Sequence, residues 1–421
     1  MRQWLAEEQL VITDAEGMHL IDSDGNRYLD GVSSLWCNVH GHRVPEIDNA
    51  IRAQLERVAH TTMLGLASEP GIILADRLMR LVPPGLTKIF YSDAGATANE
   101  IAFKLAVQYW HNLGRGEKNE FVGFAAAYHG DTVGAMSVGR MPAFHQPYFP
   151  MLFKVHFAPS PNVYRGKTLA GCLWELERIL DRHGKRIAAV CIEPVVQGAG
   201  GMIVQPAGFL AGVQKLCRQY DVLLIADEVA VGFGRTGRMF ACEHENVTPE
   251  LLCLAKGLTG GYLPMAATLA SEEIWRAFLG TYAESKTFYH GHTYGGNPLG
   301  AAAALATLEV FEEERTLEQL SAKIARLGEH LARLGRLPQV GDVRQRGLIA
   351  AVELVRDVAT KEPYPWEECR GLRVCDHARR EGVWLRPLGN VIVIMPPLSV
   401  TLEQLDQIAG AVERGILLAT R

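Results

Sequence analysis

No run of the chain approaches 18 uncharged apolar residues, so no transmembrane helix is expected. The first residues, Met1 to Glu8, carry no apolar core of the kind an export signal needs. Eight cysteines are scattered without a CxxC pair, which speaks against a zinc module or a disulfide framework. In a chain of 421 residues they read as free thiols of a reducing, cytoplasmic setting. There is no excess of positive charge: the net charge is −5, so nothing electrostatic calls for nucleic acid or an anionic membrane. Internal repeats and low-complexity segments are also missing. What is present is ordinary globular material, 48% hydrophobic and 21% charged, in a length that predicts two or three domains.

Residues 10–32 alternate around Asp24-Gly25-Asn26, which predicts a small hairpin or meander. Residues 45–60 and 68–82 have helical periodicity, the second stretch ending at Pro83-Pro84-Gly85. From there to about residue 295, short apolar strands alternate with helices. The strands are Lys88–Ser92, Phe121–Ala125, Ile187–Glu193, the run into Asp227 and the run into Lys256. The helices are Thr97–Tyr109, Leu169–His183 and Phe209–Tyr220. This pattern predicts an α/β fold with a mostly parallel sheet between helices. Residues 301–335 form a long helical tract leading to a smaller α+β unit, with strands near 348–354 and 391–395. The expected division is a large domain over 51–300 and a small one from 1–50 and 301–421.

A parallel sheet binds ligands beyond the carboxyl ends of its strands. Lys256 ends an apolar strand, where burial disfavours its ammonium and frees a nucleophilic amine. Asp227 ends another, where a carboxylate can keep a pyridine nitrogen protonated, and Val229 follows on the same face of an extended segment. A lysine and a carboxylate so placed suit pyridoxal phosphate, although a buried ion pair is the plain alternative. Ser92 to Glu100 opens a helix with small residues, so the amides of Gly95 and Ala96 can meet a phosphate and Thr97 can add a hydroxyl. That loop matches neither GxGxxG nor a Walker loop, which argues against a nicotinamide or nucleoside triphosphate there. Tyr128 can stack on a flat ring, and Glu193 can orient a ring substituent or a neighbouring residue. Arg235 can fix a carboxylate or an interface ion pair. His290 to Pro298 can offer N–H groups and a hydroxyl to a phosphate, whereas its histidines make a poor metal site, and no metal is expected. Arg386 can clamp a carboxylate or form a surface ion pair.

Taken together, Gly232-Phe233-Gly234-Arg235-Thr236-Gly237 and the Ala255–Pro264 segment resemble the class III, fold-type-I pyridoxal-phosphate aminotransferases. Ser33-Ser34-Leu35-Trp36, Tyr128–Thr132 and Trp384–Pro397 resemble the branch of that class serving biotin synthesis. The resemblance implies fold type I and transamination of small-molecule substrates. It gives Lys256 the role of Schiff-base lysine and proton shuttle, and Asp227 that of pyridinium partner. Gly95 and Ala96 become the phosphate loop, joined by Thr293 and His292 from a second subunit, so the implied enzyme is a homodimer with shared active sites. Tyr128 would stack on the ring and contact substrate, Trp36 would line the substrate pocket, and Gly291 and Arg386 would hold a substrate carboxylate. Three departures stand out. The loop reads Ala94-Gly95-Ala96 where a serine is usual. Leu35-Trp36 and Val393 replace the Trp-Trp and tyrosine often found where S-adenosylmethionine is the amino donor, which favours the lysine-using branch and leaves both donors open. Met1 aligns with the last residue of the family's aromatic opening segment, so a start at an internal Met is expected. The alternatives are a class III enzyme for ornithine, 4-aminobutyrate or an ω-amino acid, an aminomutase, or a non-catalytic relative.

Overall fold

A computed structural model describes residues 9–420, and the expectation about Met1 lies outside them. Its centre is a seven-stranded sheet in the order Leu86–Ser92, Ala266–Ser271, Leu251–Leu254, Leu223–Asp227, Ile187–Ile192, Glu120–Phe124, Val155–Ala158. Every strand of it but Ala266–Ser271 points the same way; that strand is antiparallel to both neighbours. Its sequence, Ala-Ala-Thr-Leu-Ala-Ser, is mostly small residues with a single large apolar side chain, which is why periodicity does not reveal it. Ile187–Ile192 and Leu223–Asp227 are buried along their whole length, as a sheet covered on both faces requires. Parallel register aligns Asp227 with Cys253 and Ala226 with Ile192. Glu193, Asp227 and Lys256 therefore leave the sheet at one edge.

The N-terminal meander, Ile12–Glu16, His19–Asp22 and Arg27–Asp30, is closed by Val383–Trp384, which pairs in parallel with Leu29 and Asp30. Another sheet joins Val340–Arg346, Ile349–Asp357, Val391–Ile394 and Arg386–Leu388. The tract expected over 301–335 is two helices, Pro298–Glu313 and Thr316–Leu334. They are broken at Arg315, whose φ of +48° lies in the left-handed region where a helix cannot continue. The first, rich in buried alanine, packs on the helices Pro45–Leu55 and Glu69–Leu81. The sequence reading also passes over the last helix, Leu402–Ala419.

Lys118 is buried at the other end of the central sheet. Its ammonium donates to the carbonyls of Gly184 and Ile187, both at 3.2 Å, and to that of Asp221, and it lies 4.3 Å from the Trp110 ring. It thus ties together the starts of the two strands that deliver Glu193 and Asp227. Lys118→Met removes the one ammonium shared by these three carbonyls, of which Gly184's keeps only the Ile187 amide at 3.2 Å, a loss of about 3 kcal/mol. The expected result is a clear drop in melting temperature with kcat/KM little changed well below it; an unchanged melting temperature contradicts this role.

Candidate active site

The strand ends surround a cavity of about 760 Å³, within the range of small-molecule sites. Trp36, Gly95, Ala96, Tyr128, Glu193, Asp227, Val229 and Lys256 all line it, together with Cys37, Asp93, His129 and Thr132. The helix Gly95–Asn112 points its N-terminus there, and its leading amides have no preceding turn to bond to. A Cβ on Gly95 would stand 2.6 Å from the Val229 side chain, so glycine lets the helix end close on the Asp227 segment.

Three donors converge on Asp227. Asn99 Nδ2 lies 2.9 Å and His129 Nδ1 2.7 Å from Oδ2, and the Val229 amide donates to Oδ1 at 3.0 Å. Burial pushes His129 down, but its bond to Asp227 and that carboxylate's charge prevail, and it titrates above its ordinary value. Asn99 and His129 carry no role in the sequence reading. Both sit inside segments singled out above, Ser92–Glu100 and Tyr128–Thr132, and only the fold turns them toward Asp227.

Glu193 is buried and accepts from the Tyr128 amide at 3.0 Å and the Gly198 amide at 2.8 Å. It ties together the loops after two neighbouring strands. Burial pushes its carboxyl up to about 7. Tyr128 itself donates its hydroxyl to Asp131 at 2.9 Å.

Lys256 begins a short 3-10 turn with φ of +47°, left-handed backbone held by its surroundings. Among the described residues its ammonium has no hydrogen-bond acceptor or ion-pair partner; the Trp36 ring, 5.1 Å away, is its recorded contact. Burial lowers its pKa, against the Asp227 and Glu193 charges that push it up.

Other expected residues lie elsewhere. Thr97 does not turn its hydroxyl to the cavity: Oγ1 accepts the Ala94 amide, and its one proton is shared between Asp93 Oδ1 at 2.8 Å and the Ala94 carbonyl at 2.7 Å, closing the helix's first turn. Gly291, His292 and Thr293 are exposed outside the cavity lining, and His292 Nδ1 rests 3.1 Å from Asp93. Arg386 is exposed on its strand, also outside the lining. Arg235 is buried and fixes no carboxylate; it donates to the carbonyls of Pro396 and Asn38 at 2.7 and 2.6 Å. Its segment, Gly232 to Gly237, spells GxGxxG, yet it opens no α-helix and so forms no dinucleotide loop.

Residues 3–416 match the family model described as "Aminotransferase class-III". The chain belongs to the class III aminotransferases. Among relatives, the adenosylmethionine-8-amino-7-oxononanoate aminotransferase of Geobacter sulfurreducens is 54% identical, over 100% of this chain and 94% of its own. The protein of that name from Anoxybacillus flavithermus is 53% identical over 98% and 92%. Among solved structures, the one of that name from Methanocaldococcus jannaschii superposes with a TM-score of 0.95 at 45% identity, covering 99% of this chain and 95% of its own. An amine transaminase from an uncultivated Pseudomonas species, in its PLP-bound form, gives 0.95 at 36% identity over 99% and 96%.

Class III aminotransferases are pyridoxal-phosphate-dependent transaminases of fold type I, and the residues present here suit that cofactor. Lys256 supplies an amine without a partner, the helix N-terminus free amides, and Asp227 a carboxylate held by three donors. Thr132 Oγ1 is buried without a partner at the wall. Two buried carboxyls of this aminotransferase, Glu193 and Glu228, titrate at about 7 against an ordinary 4.5. A raised carboxyl contributes stability below 4.5 that is lost as pH rises through the folded value. For Glu193 the difference is about 3 kcal/mol. In Glu193→Gln, melting temperatures between pH 5 and pH 8 should fall less than in wild type, the Glu228 share remaining. An unchanged slope contradicts the assignment.

Proposed function

We propose that this chain transfers an amino group to the ketone of 8-amino-7-oxononanoate, yielding 7,8-diaminononanoate for biotin synthesis. The observation that carries the reading is the likeness, along the whole of this chain, to relatives that share one name, at 45–54% identity for five of them. The donor is taken as S-adenosylmethionine, the compound in those names. Leu35 and Val393, which point toward lysine, make the donor the part of the reading that assay decides.

Bound pyridoxal phosphate supplies an electron sink for the carbanion at the donor's α-carbon. Lys256 holds the cofactor by its amine. With the cofactor bound, the neutral Lys256 amine would be the base that holds and moves the donor's α-carbon proton at Nζ. Low pKa through burial suits that work near neutral pH. Asp227 would hold the pyridine nitrogen and favour its protonated form. Gly95 and Ala96 would offer amides to the phosphate, and Tyr128 and Val229 would pack on the ring. Trp36 borders the substrate. Arg386, with no carboxylate partner among the described residues, offers its guanidinium to a substrate carboxylate.

A second copy completes the site in this reading. Gly291, His292 and Thr293 are exposed in one chain, near exposed Tyr289 and Tyr294. Leu64, Leu66, Ile72 and Ile73 are exposed as well, and His60 rests against Tyr294 at 4.8 Å, joining the two regions. A homodimer covers this apolar surface and brings each loop to its partner's phosphate. No helix of the described residues is long and apolar enough to cross a membrane.

Lys256→Ala should abolish turnover and the absorbance of the lysine-linked cofactor; near-normal turnover overturns the assignment. Purified protein should aminate 8-amino-7-oxononanoate with S-adenosylmethionine far faster than with lysine, and should leave ω-amino-acid acceptors nearly untouched. Solved structures named as amine and omega transaminases align as well, at 36% and 37% identity, so the acceptor comparison is decisive. Preference for an ω-amino-acid acceptor overturns the proposed substrate.

A further inference from the structure

Three of the four residues Ser33 to Trp36 have left-handed backbone, none of them glycine: φ is +54° at Ser33, +60° at Ser34 and +64° at Trp36. Such conformations persist only where the surroundings over-determine them. Here the surroundings centre on Asp30, which is fully buried. Its Oδ1 accepts the Val32 amide at 3.2 Å and its Oδ2 the Ser34 amide at 2.7 Å.

A directed chain of bonds orients that carboxylate. Asn38 Oδ1 accepts the Gly41 amide at 2.8 Å, which fixes the amide group's orientation and leaves Nδ2 to donate to His42 Nδ1 at 3.1 Å. His42 Nδ1 is then an acceptor, so the ring's proton sits on Nε2 and is donated to Asp30 Oδ2 at 3.1 Å. Arg235 anchors the same loop by donating to the Asn38 carbonyl, and Ser33 Oγ donates to the Met395 carbonyl at 2.7 Å. The product of this scaffolding is the place of one side chain. The Trp36 ring lies between Gly198, where a Cβ would meet it at 3.4 Å, and the Lys256 amine.

We infer that Asp30 and His42 are positioning residues: they hold the strained segment that sets Trp36 against the Lys256 amine and so shape both the lysine's surroundings and the substrate wall. The inference rests on Lys256 being the reacting amine, which Lys256→Ala tests by itself.

The test is a double-mutant cycle on the holoenzyme with Asp30→Asn and Trp36→Phe. Two quantities are read: kcat/KM for the donor half-reaction, and the pH midpoint of the bound cofactor's absorbance. Asp30→Asn should lower kcat/KM by about tenfold to a hundredfold, the worth of a lost hydrogen bond to a charged group. It should also move the absorbance midpoint in the same direction as Trp36→Phe does. In the Trp36→Phe background it should add less than about threefold to either effect. Equal losses in both backgrounds, or no loss, overturn the inference while leaving Lys256 untouched. Should Asp30→Asn fail to fold, His42→Ala and His42→Gln replace it. The alanine variant should show the same coupling to Trp36, and glutamine, which keeps an N–H donor, should restore most of the loss. Loss in His42→Ala without coupling to Trp36 overturns the inference equally.

Discussion

Lys256 carries its amine to the end of a buried strand and meets no carboxylate within ion-pair distance there. Burial, with a smaller push from the Arg235 charge, lowers its pKa, and the Trp36 ring is the surface it leans on. An ammonium held at a cavity wall without an anion costs the fold stability, and a use for the amine gives a reason to retain it. The other features of the site are arranged around that condition. Asp227 and Glu193 lie near enough to act on the lysine through their charge, while their own oxygens are engaged by Asn99, His129 and backbone amides.

The central sheet makes this possible. Six strands running one way bring their carboxyl ends to one edge, so residues distant in sequence arrive together without long loops. Lys118 fastens the opposite ends of two of those strands. The small C-terminal sheet does related work for the pocket wall: Met395 accepts Ser33, and its amide donates to the Gly31 carbonyl at 2.8 Å. Trp36 therefore depends on both ends of the chain.

Much of this is legible in the sequence, for a physical reason. A fully buried strand that stops at a charged residue is a strong pattern, and Asp227 and Lys256 both show it. Leu169–His183 was predicted to the residue because its apolar period is clean. The Ala266–Ser271 strand was hidden by small residues, and the break at Arg315 by the absence of glycine or proline. For Thr97, a hydroxyl at a helix start can cap or bind, and sequence cannot say which; in the fold it caps. His129 went unassigned because its partner is 98 positions away. The left-handed backbone of Ser33, Ser34 and Trp36 leaves no trace in composition, since glycine is the usual signal for it. Residues Gly291 to Thr293 lie outside the cavity of one chain and gain a place in the site only in the proposed homodimer.

The lowered, unpaired amine of Lys256 is the feature on which the rest turns, and its reactivity can be measured without turnover. Cofactor-free protein is mixed with pyridoxal phosphate across a range of pH, and the rate at which the lysine-linked absorbance forms is recorded. The account predicts that this rate reaches its half-maximum clearly below pH 10.5, the ordinary lysine value, and that Trp36→Phe moves it. A rate that rises with an ordinary lysine's titration, unaffected by Trp36→Phe, contradicts it.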